Sequence, residues 1–254
     1  MIRRLFLALG IGIAAFGALI WVELFALSRR EYLPTDPGYE VDELVLPASG
    51  AAEGGPLRMA VLGDSTVAGV GSPSEATSLP VLIGERVANM VGHPVQVVGF
   101  GISGARTGTL TERQVPQLDG SFDVIVLVVG SNDATHATFW PEMGRQTREM
   151  LERTTAFGAP VVLAGTPRFS GTVIIPEPLR TMVDRYSGIL RGEQRAAAEE
   201  RPNVRFVDIA ADASPRFVGV PEATSSDGFH PSPIGYGFWA DAIAPAVASL
   251  IEGG

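Results

Sequence analysis

The sequence predicts an α/β protein: a three-layer α/β/α sandwich built on a mostly parallel, five-stranded sheet. Three observations carry this. Five short runs rich in Val, Ile and Leu recur at 59–62, 95–100, 124–129, 161–164 and 204–209, the composition of strands buried on both faces. Stretches of helical period lie between them. Residues 57–254 suit one domain with a sizeable core, and 46% hydrophobic against 19% charged residues argues against disorder.

The helices follow from spacing. Residues 79–91 form an apolar stretch with Pro80 in its first turn, where a missing N–H does no harm. Leu179, Met182, Val183, Tyr186, Ile189 and Leu190 recur at helical intervals and share one face. Ile234, Phe238, Trp239, Ala242, Ile243, Ala246, Val247 and Leu250 do the same near the end. Strand–helix alternation of this kind means βαβ units with right-handed crossovers. No internal repeat or low-complexity tract interrupts it. Ligands of such sheets bind beyond the carboxyl ends of the strands, so those ends are where chemistry is expected.

Residues 1–30 are a separate element. No charged side chain interrupts residues 5–22, and after Glu23 the apolar run resumes through Leu27, with Arg3 and Arg4 before it and Arg29 and Arg30 after. At about 1.5 Å per residue, residues 5–27 extend roughly 35 Å, against a hydrocarbon core of about 30 Å. A signal-peptide core is shorter, about 7–15 residues. Ala26-Leu27-Ser28 fits a cleavage site only loosely. The length favours an uncleaved signal anchor with an extracytoplasmic domain; a cleaved signal peptide and a secreted domain are the alternative. Residues 31–56, broken by Pro34, Pro37, Pro47 and several glycines, read as a linker to the domain at 57–254.

Charge and residue types exclude several functions. A net charge of −9, with no basic run, opposes binding to nucleic acid. The absence of cysteine removes thiolate catalysis, disulfides and thiolate metal sites. His93, His136 and His230 are far apart, and none pairs at i,i+4 with another, so no metal is expected. No P-loop or Gly-x-Ser-x-Gly pattern is present, which disfavours a P-loop nucleotide site and the α/β-hydrolase elbow. No cofactor is expected.

The strand ends carry complementary polar clusters. The first ends in Gly63-Asp64-Ser65-Thr66, the second in Gly101-Ile102-Ser103-Gly104-Ala105-Arg106, and the third in Gly130-Ser131-Asn132-Asp133. The loop before the last helix carries Asp227-Gly228-Phe229-His230-Pro231. A serine hydroxyl is a weak nucleophile until a base takes its proton, and the base works best when a third group fixes its tautomer. Asp227 and His230, three apart on one loop, can meet locally. Singly, each motif is an ordinary turn; together they supply nucleophile, base, carboxylate and amide donors at successive strand ends.

In this order, Gly-Asp-Ser, the glycine of the second cluster, Gly-x-Asn-Asp and Asp-x-x-His resemble the SGNH/GDSL hydrolase family from about residue 59 to the C-terminus. The resemblance implies a flavodoxin-like sandwich and an esterase or lipase-like activity. It also implies Ser65 as nucleophile, His230 as base, Asp227 as its carboxylate, and an oxyanion hole from the N–H groups of Ser65 and Gly104 and the side chain of Asn132. One departure stands out: members often carry asparagine five residues before the glycine, where this chain has Gly99.

The remaining polar residues read as supporting. Asp64 and Asp133 are expected to bond nearby backbone and shape turns. His136 is expected to line the pocket at most, His93 to sit at a helix end, and Arg106 to be solvated. The resemblance allows lysophospholipids, thioesters, simple esters or acetylated sugars as substrates. The apolar loop at 168–178 could line an acyl pocket, face lipid, or pack on its own domain. An acyltransferase with the same triad and a catalytically silent glycan- or lipid-binding module are the alternative functions. Oligomeric state has no sequence signal here.

Overall fold

The computed structural model, which describes residues 2–50 and 55–253, joins the apolar runs into one six-stranded sheet. The strands are β1 (Asp42–Val45), β2 (Leu57–Gly63), β3 (Val95–Gly101), β4 (Val124–Val128), β5 (Val161–Ala164) and β6 (Val204–Val207). Their spatial order is β1-β3-β2-β4-β5-β6. β2 to β6 are mutually parallel, and β1 runs antiparallel to β3, with Asp42 opposite Val98 and Val45 opposite Val95.

The expected five-stranded sheet is therefore corrected to six. The added strand, β1, comes from the segment read as a linker. It is four residues long, begins with two acids and is largely exposed, so no apolar run announces it. It forms because β3 would otherwise present an open edge of backbone donors and acceptors.

Eight α-helices complete the described chain: α1 (Ile2–Ser28), α2 (Leu79–Val91), α3 (Thr107–Arg113), α4 (Ser131–Thr135), α5 (Trp140–Thr155), α6 (Leu179–Glu199), α7 (Ile209–Asp212) and α8 (Pro233–Glu252). Side chains alternate across a strand, and here both sides are apolar. Met59 and Val61 of β2 and Val124 and Val126 of β4 pack on one face with Ile83 and Val87 of α2 and Ile243 and Val247 of α8. Ala60, Leu62, Ile125 and Leu127 pack on the other with Leu110 of α3, Met150 and Leu151 of α5, and Ala197 of α6. The inner strands β2, β4 and β5 are thus covered on both sides, as the centre of a parallel sheet requires.

A third cluster lies beyond the carboxyl ends of the strands. Ala134, Met143, Phe169, Ile174, Ile175, Leu179 and Leu190 are buried there, with Ile20 and Leu27 of α1 and Phe229 packed against them. α1 is one continuous helix whose most apolar window has a mean hydropathy of 2.4 and is not covered by the rest of the chain. α8 is also long and apolar, but it belongs to the core.

The chain leaves β2 toward β3 on one side and continues through β4 toward β5 on the other. The crevice between the ends of β2 and β4 is the topological switch point, where such sheets bind ligands.

Candidate active site

The turn after β2 is built by Asp64. Its backbone carbonyl accepts from Val67 N–H (3.1 Å) and Ala68 N–H (3.0 Å), and its Oδ1 accepts from Thr66 N–H (3.0 Å) and the Thr66 hydroxyl (2.8 Å). Burial pushes the Asp64 carboxyl above its usual range, against the opposing pull of Thr66 and of His230. The turn packs tightly on the end of β3: a Cβ at Gly101 would collide with the backbone of Val67 and Ala68. Ser65 is held between these constraints.

The loop before α8 is closed by Ser225 N–H donating to His230 O (2.8 Å) and Gly228 N–H donating to Ser225 O (2.9 Å). Inside it, Asp227 Oδ1 accepts from the N–H groups of Phe229 (2.9 Å) and His230 (3.0 Å), a local turn that fixes both residues. Asp227 Oδ2 stands 2.6 Å from His230 Nδ1, and His230 Nε2 stands 3.1 Å from Ser65 Oγ. A carboxylate only accepts, so Nδ1 carries the proton and Nε2 is left to accept from the serine hydroxyl. Burial works to raise the Asp227 carboxyl, but the bonds from the His230 ring and from the Phe229 and His230 N–H groups outweigh it and hold it below its usual range. Ser65, His230 and Asp227 are thus brought together in one hydrogen-bonded line.

Asn132, on the short α4 after β4, donates through Nδ2 to Ala105 O (3.1 Å) and Asp64 Oδ2 (3.3 Å), tying together the ends of β2, β3 and β4. Gly104 lies in the loop after β3 with φ of 77°, a conformation that favours glycine. Among the described residues, the N–H groups of Ser65 and Gly104 have no protein acceptor. Two unengaged donors therefore stand at the ends of neighbouring strands.

The cleft is walled by Ser65, Asn132 and His230 together with Phe169, Phe229 and Trp239, a polar floor against aromatic sides. Gly104 is not among the residues lining it. The 168–178 loop divides its roles: Phe169, Ile174 and Ile175 are buried in the third cluster, Phe169 also faces the cleft, and Val173 is 78% exposed.

The other candidates fall elsewhere. His136 bonds Asn132 O through Nδ1 (2.9 Å) and is exposed, outside the cleft lining. His93 follows the Gly92 cap of α2, and Arg106 is the exposed residue preceding α3. Asp64 shapes its own turn as expected. Asp133 instead reaches across to α3, accepting from Thr107 N–H (3.0 Å) and the Thr107 hydroxyl (3.1 Å). Gly99, the departure noted above, donates its N–H to Val41 O (2.9 Å), and a Cβ there would press on the Val41 side chain. The chain before β1 thus covers the place a larger side chain would need.

Two contacts had no sequence signal: Leu33 N–H donates to Asp227 Oδ2 (3.4 Å), and the Tyr32 ring meets Phe229 edge-on at 6.1 Å. They span almost two hundred positions and belong to a segment without a motif.

The GDSL-like Lipase/Acylhydrolase family model matches residues 61–238. Among solved structures, TesA is similar at 22% identity and a TM-score of 0.61, covering 76% of this chain and 99% of that one. A lipase/acylhydrolase from Enterococcus faecalis is similar at 22% identity and a TM-score of 0.59, covering 76% and 96%. An acetyl xylan esterase from Geobacillus stearothermophilus is similar at 21% identity and a TM-score of 0.51, covering 82% and 96%. At these identities the structures speak for the fold. No curated protein sequence matches the chain. The family match over most of the chain, on a fold those structures share, makes this protein an ester-hydrolysing enzyme of the GDSL-like lipase/acylhydrolase family.

Proposed function

We propose that the protein is a membrane-anchored serine hydrolase that cleaves carboxylic esters through an acyl-enzyme. The observation that carries this is the line from Ser65 Oγ to His230 Nε2 (3.1 Å) and from His230 Nδ1 to Asp227 (2.6 Å), at the switch point of the sheet.

In this reading His230 takes the Ser65 proton as Oγ bonds to the ester carbonyl carbon. Asp227, held ionised by its hydrogen bonds, stabilises the imidazolium. The carbonyl oxygen becomes an anion, and the free N–H groups of Ser65 and Gly104 receive it, joined by the Asn132 amide as one of its Nδ2 hydrogens leaves the long bond to Asp64 Oδ2. The imidazolium then protonates the leaving alcohol as its C–O bond breaks. Water, deprotonated by His230, attacks the acyl carbon and returns Ser65 to its starting state. No cofactor enters.

The substrate is an ester of lipid, thioester or acetylated-sugar type, and the aromatic walls of the cleft suit an acyl chain. α1, continuous, apolar and uncovered along most of its length, is the anchor, and the domain is extracytoplasmic. The test is hydrolysis of p-nitrophenyl esters from acetyl to palmitoyl by the full chain and by Ser65→Ala. Turnover that depends on Ser65 and is indifferent to chelators is the expected result. Equal turnover by both proteins would remove Ser65 as nucleophile.

A further inference from the structure

Glu23 is the one acidic residue in α1, and burying a carboxylate within an apolar helix is unfavourable unless it is bonded. It is bonded. Glu23 is 6% exposed, and its Oε2 accepts from the N–H of Leu179 (3.2 Å), the first residue of α6. That helix begins after Pro178, which offers no side-chain cap, so a carboxylate from α1 occupies the position an N-cap would hold. Ile20 and Leu27 lie on the same face as Glu23 and pack on the third apolar cluster, which includes Phe229. The last third of α1 therefore grips the domain, while residues 2–19 project away from it. At about 1.5 Å per residue that projecting part extends roughly 27 Å, close to the thickness of a hydrocarbon core.

The chain after α1 then crosses the site. Tyr32 sets its ring edge-on to Phe229, which in turn meets the His230 ring edge-on at 5.2 Å. Leu33 N–H donates to Asp227 Oδ2, the same oxygen that faces His230 Nδ1. Thr35 O accepts from the Ser103 hydroxyl in the loop that holds Gly104, and Val41 O accepts from Gly99 N–H in β3. Residues 20–45 thus form a strap from the start of α6, over the Asp227–His230 loop, past the Gly104 loop and onto the sheet edge.

From these contacts we infer that the membrane helix and its following strap are a working part of the active site. Glu23 and the Tyr32–Leu33 pair are positioning residues that hold the Asp227–His230 loop against Ser65. The inference rests on the proposed roles of those three residues. Glu23 locks α1 to α6, the lock fixes where the strap begins, and the strap supplies the last hydrogen bond to the Asp227 carboxylate. The Tyr32 hydroxyl registers this proximity: burial raises it above its usual range, Arg30 opposes, and the Asp227 charge raises it further. An enzyme that keeps Glu23 and the strap and an enzyme cut loose downstream of Leu33 are then different catalysts.

The test uses the full chain in membranes and p-nitrophenyl acetate, a substrate small enough to need little from the acyl wall. Glu23→Leu leaves the Leu179 N–H without its acceptor and frees α1 to face lipid on all sides. Leu33→Pro removes the N–H that reaches Asp227. Each is expected to lower kcat by about tenfold, with KM little changed and the melting temperature nearly that of the parent. Glu23→Gln keeps an acceptor oxygen and should restore most of kcat. Because the chain has no cysteine, Glu23→Cys combined with Leu179→Cys should be joined by a short bis-maleimide in membranes, independently of any turnover. Parental kcat in both Glu23→Leu and Leu33→Pro, or no cross-link in the double variant, would overturn the inference. Loss of the Ser65 dependence of hydrolysis in the parent would instead overturn the assignment of the nucleophile, with the cross-link still reporting on the lock.

Discussion

His230 Nε2 lies 3.1 Å from Ser65 Oγ, although the two residues are 165 positions apart. The contact joins the turn after β2 to the loop before α8, and each is braced by its own aspartate: Asp64 bonds Thr66, and Asp227 bonds Phe229 and His230. Two rigid local turns facing one another across a sheet end give a hydroxyl and an imidazole a fixed separation. The proposed chemistry depends on that separation.

His230→Ala should lose nearly all esterase activity, because among the described residues no other basic side chain bonds the Ser65 hydroxyl. His136→Ala and His93→Ala should keep most of it, since His136 bonds only its own helix and the preceding side chain, and His93 lies beyond the end of α2. Kinetics on the three variants check this; a parental rate in His230→Ala would displace the base.

Asp227→Asn should fold and yet lose about 10⁴-fold in kcat, because the imidazole then lacks its orienting charge. The same substitution has a signature in stability. The folded Asp227 carboxyl sits below its usual range, so its ionised form stabilises the fold at any pH above the unfolded value of about 3.9. That contribution is lost as pH falls through the lowered folded value. Denaturant melts should therefore show the parent more stable than Asp227→Asn near neutral pH, with the gap closing below about pH 4.

Asn132→Ala should lower kcat by about 10²–10³-fold with KM nearly unchanged, since the contact to an oxyanion strengthens only in the transition state. Its amide also ties Ala105 O and Asp64 Oδ2, so a modest fall in melting temperature is expected alongside. Asn132→Asp should be at least as damaging, because it sets a second carboxylate against Asp64. Loss of stability with kcat intact in both variants would leave Asn132 as a brace alone.

Gly101→Ala tests the packing behind the nucleophile. Its new Cβ would meet the Ala68 backbone, which is pinned to Asp64 O, so the strain passes directly to the turn that carries Ser65. The expected result is a folded but destabilised protein with kcat reduced by about tenfold or more, since small misplacements of reacting groups are costly. Thermal melts combined with steady-state kinetics check it.

Much of this arrangement is legible in the sequence because its signals are local. The runs at 59–62, 95–100, 124–129 and 161–164 become β2 to β5 within a few residues, since strands buried on both faces must be apolar throughout. Asp227 and His230 meet because they are three apart in one turn. β1 escapes notice because three exposed residues and one half-buried valine carry no periodic signal. α5 is also muted: Met143, Met150 and Leu151 are separated by charged residues, and part of its buried face is Gly144, Thr147 and Thr154. The reach of Asp133 to Thr107, the cap that Glu23 places on α6 and the bond from Leu33 to Asp227 depend on how distant elements pack, and no spacing in the chain encodes them.

The most direct measurement of the central claim is the site of covalent labelling by a fluorophosphonate, whose phosphorus is attacked by an activated serine. Peptide mass spectrometry of the labelled protein should place one adduct on Ser65, and Ser65→Ala should take up none while melting like the parent. An adduct on any other serine, or undiminished labelling of Ser65→Ala, would contradict the account.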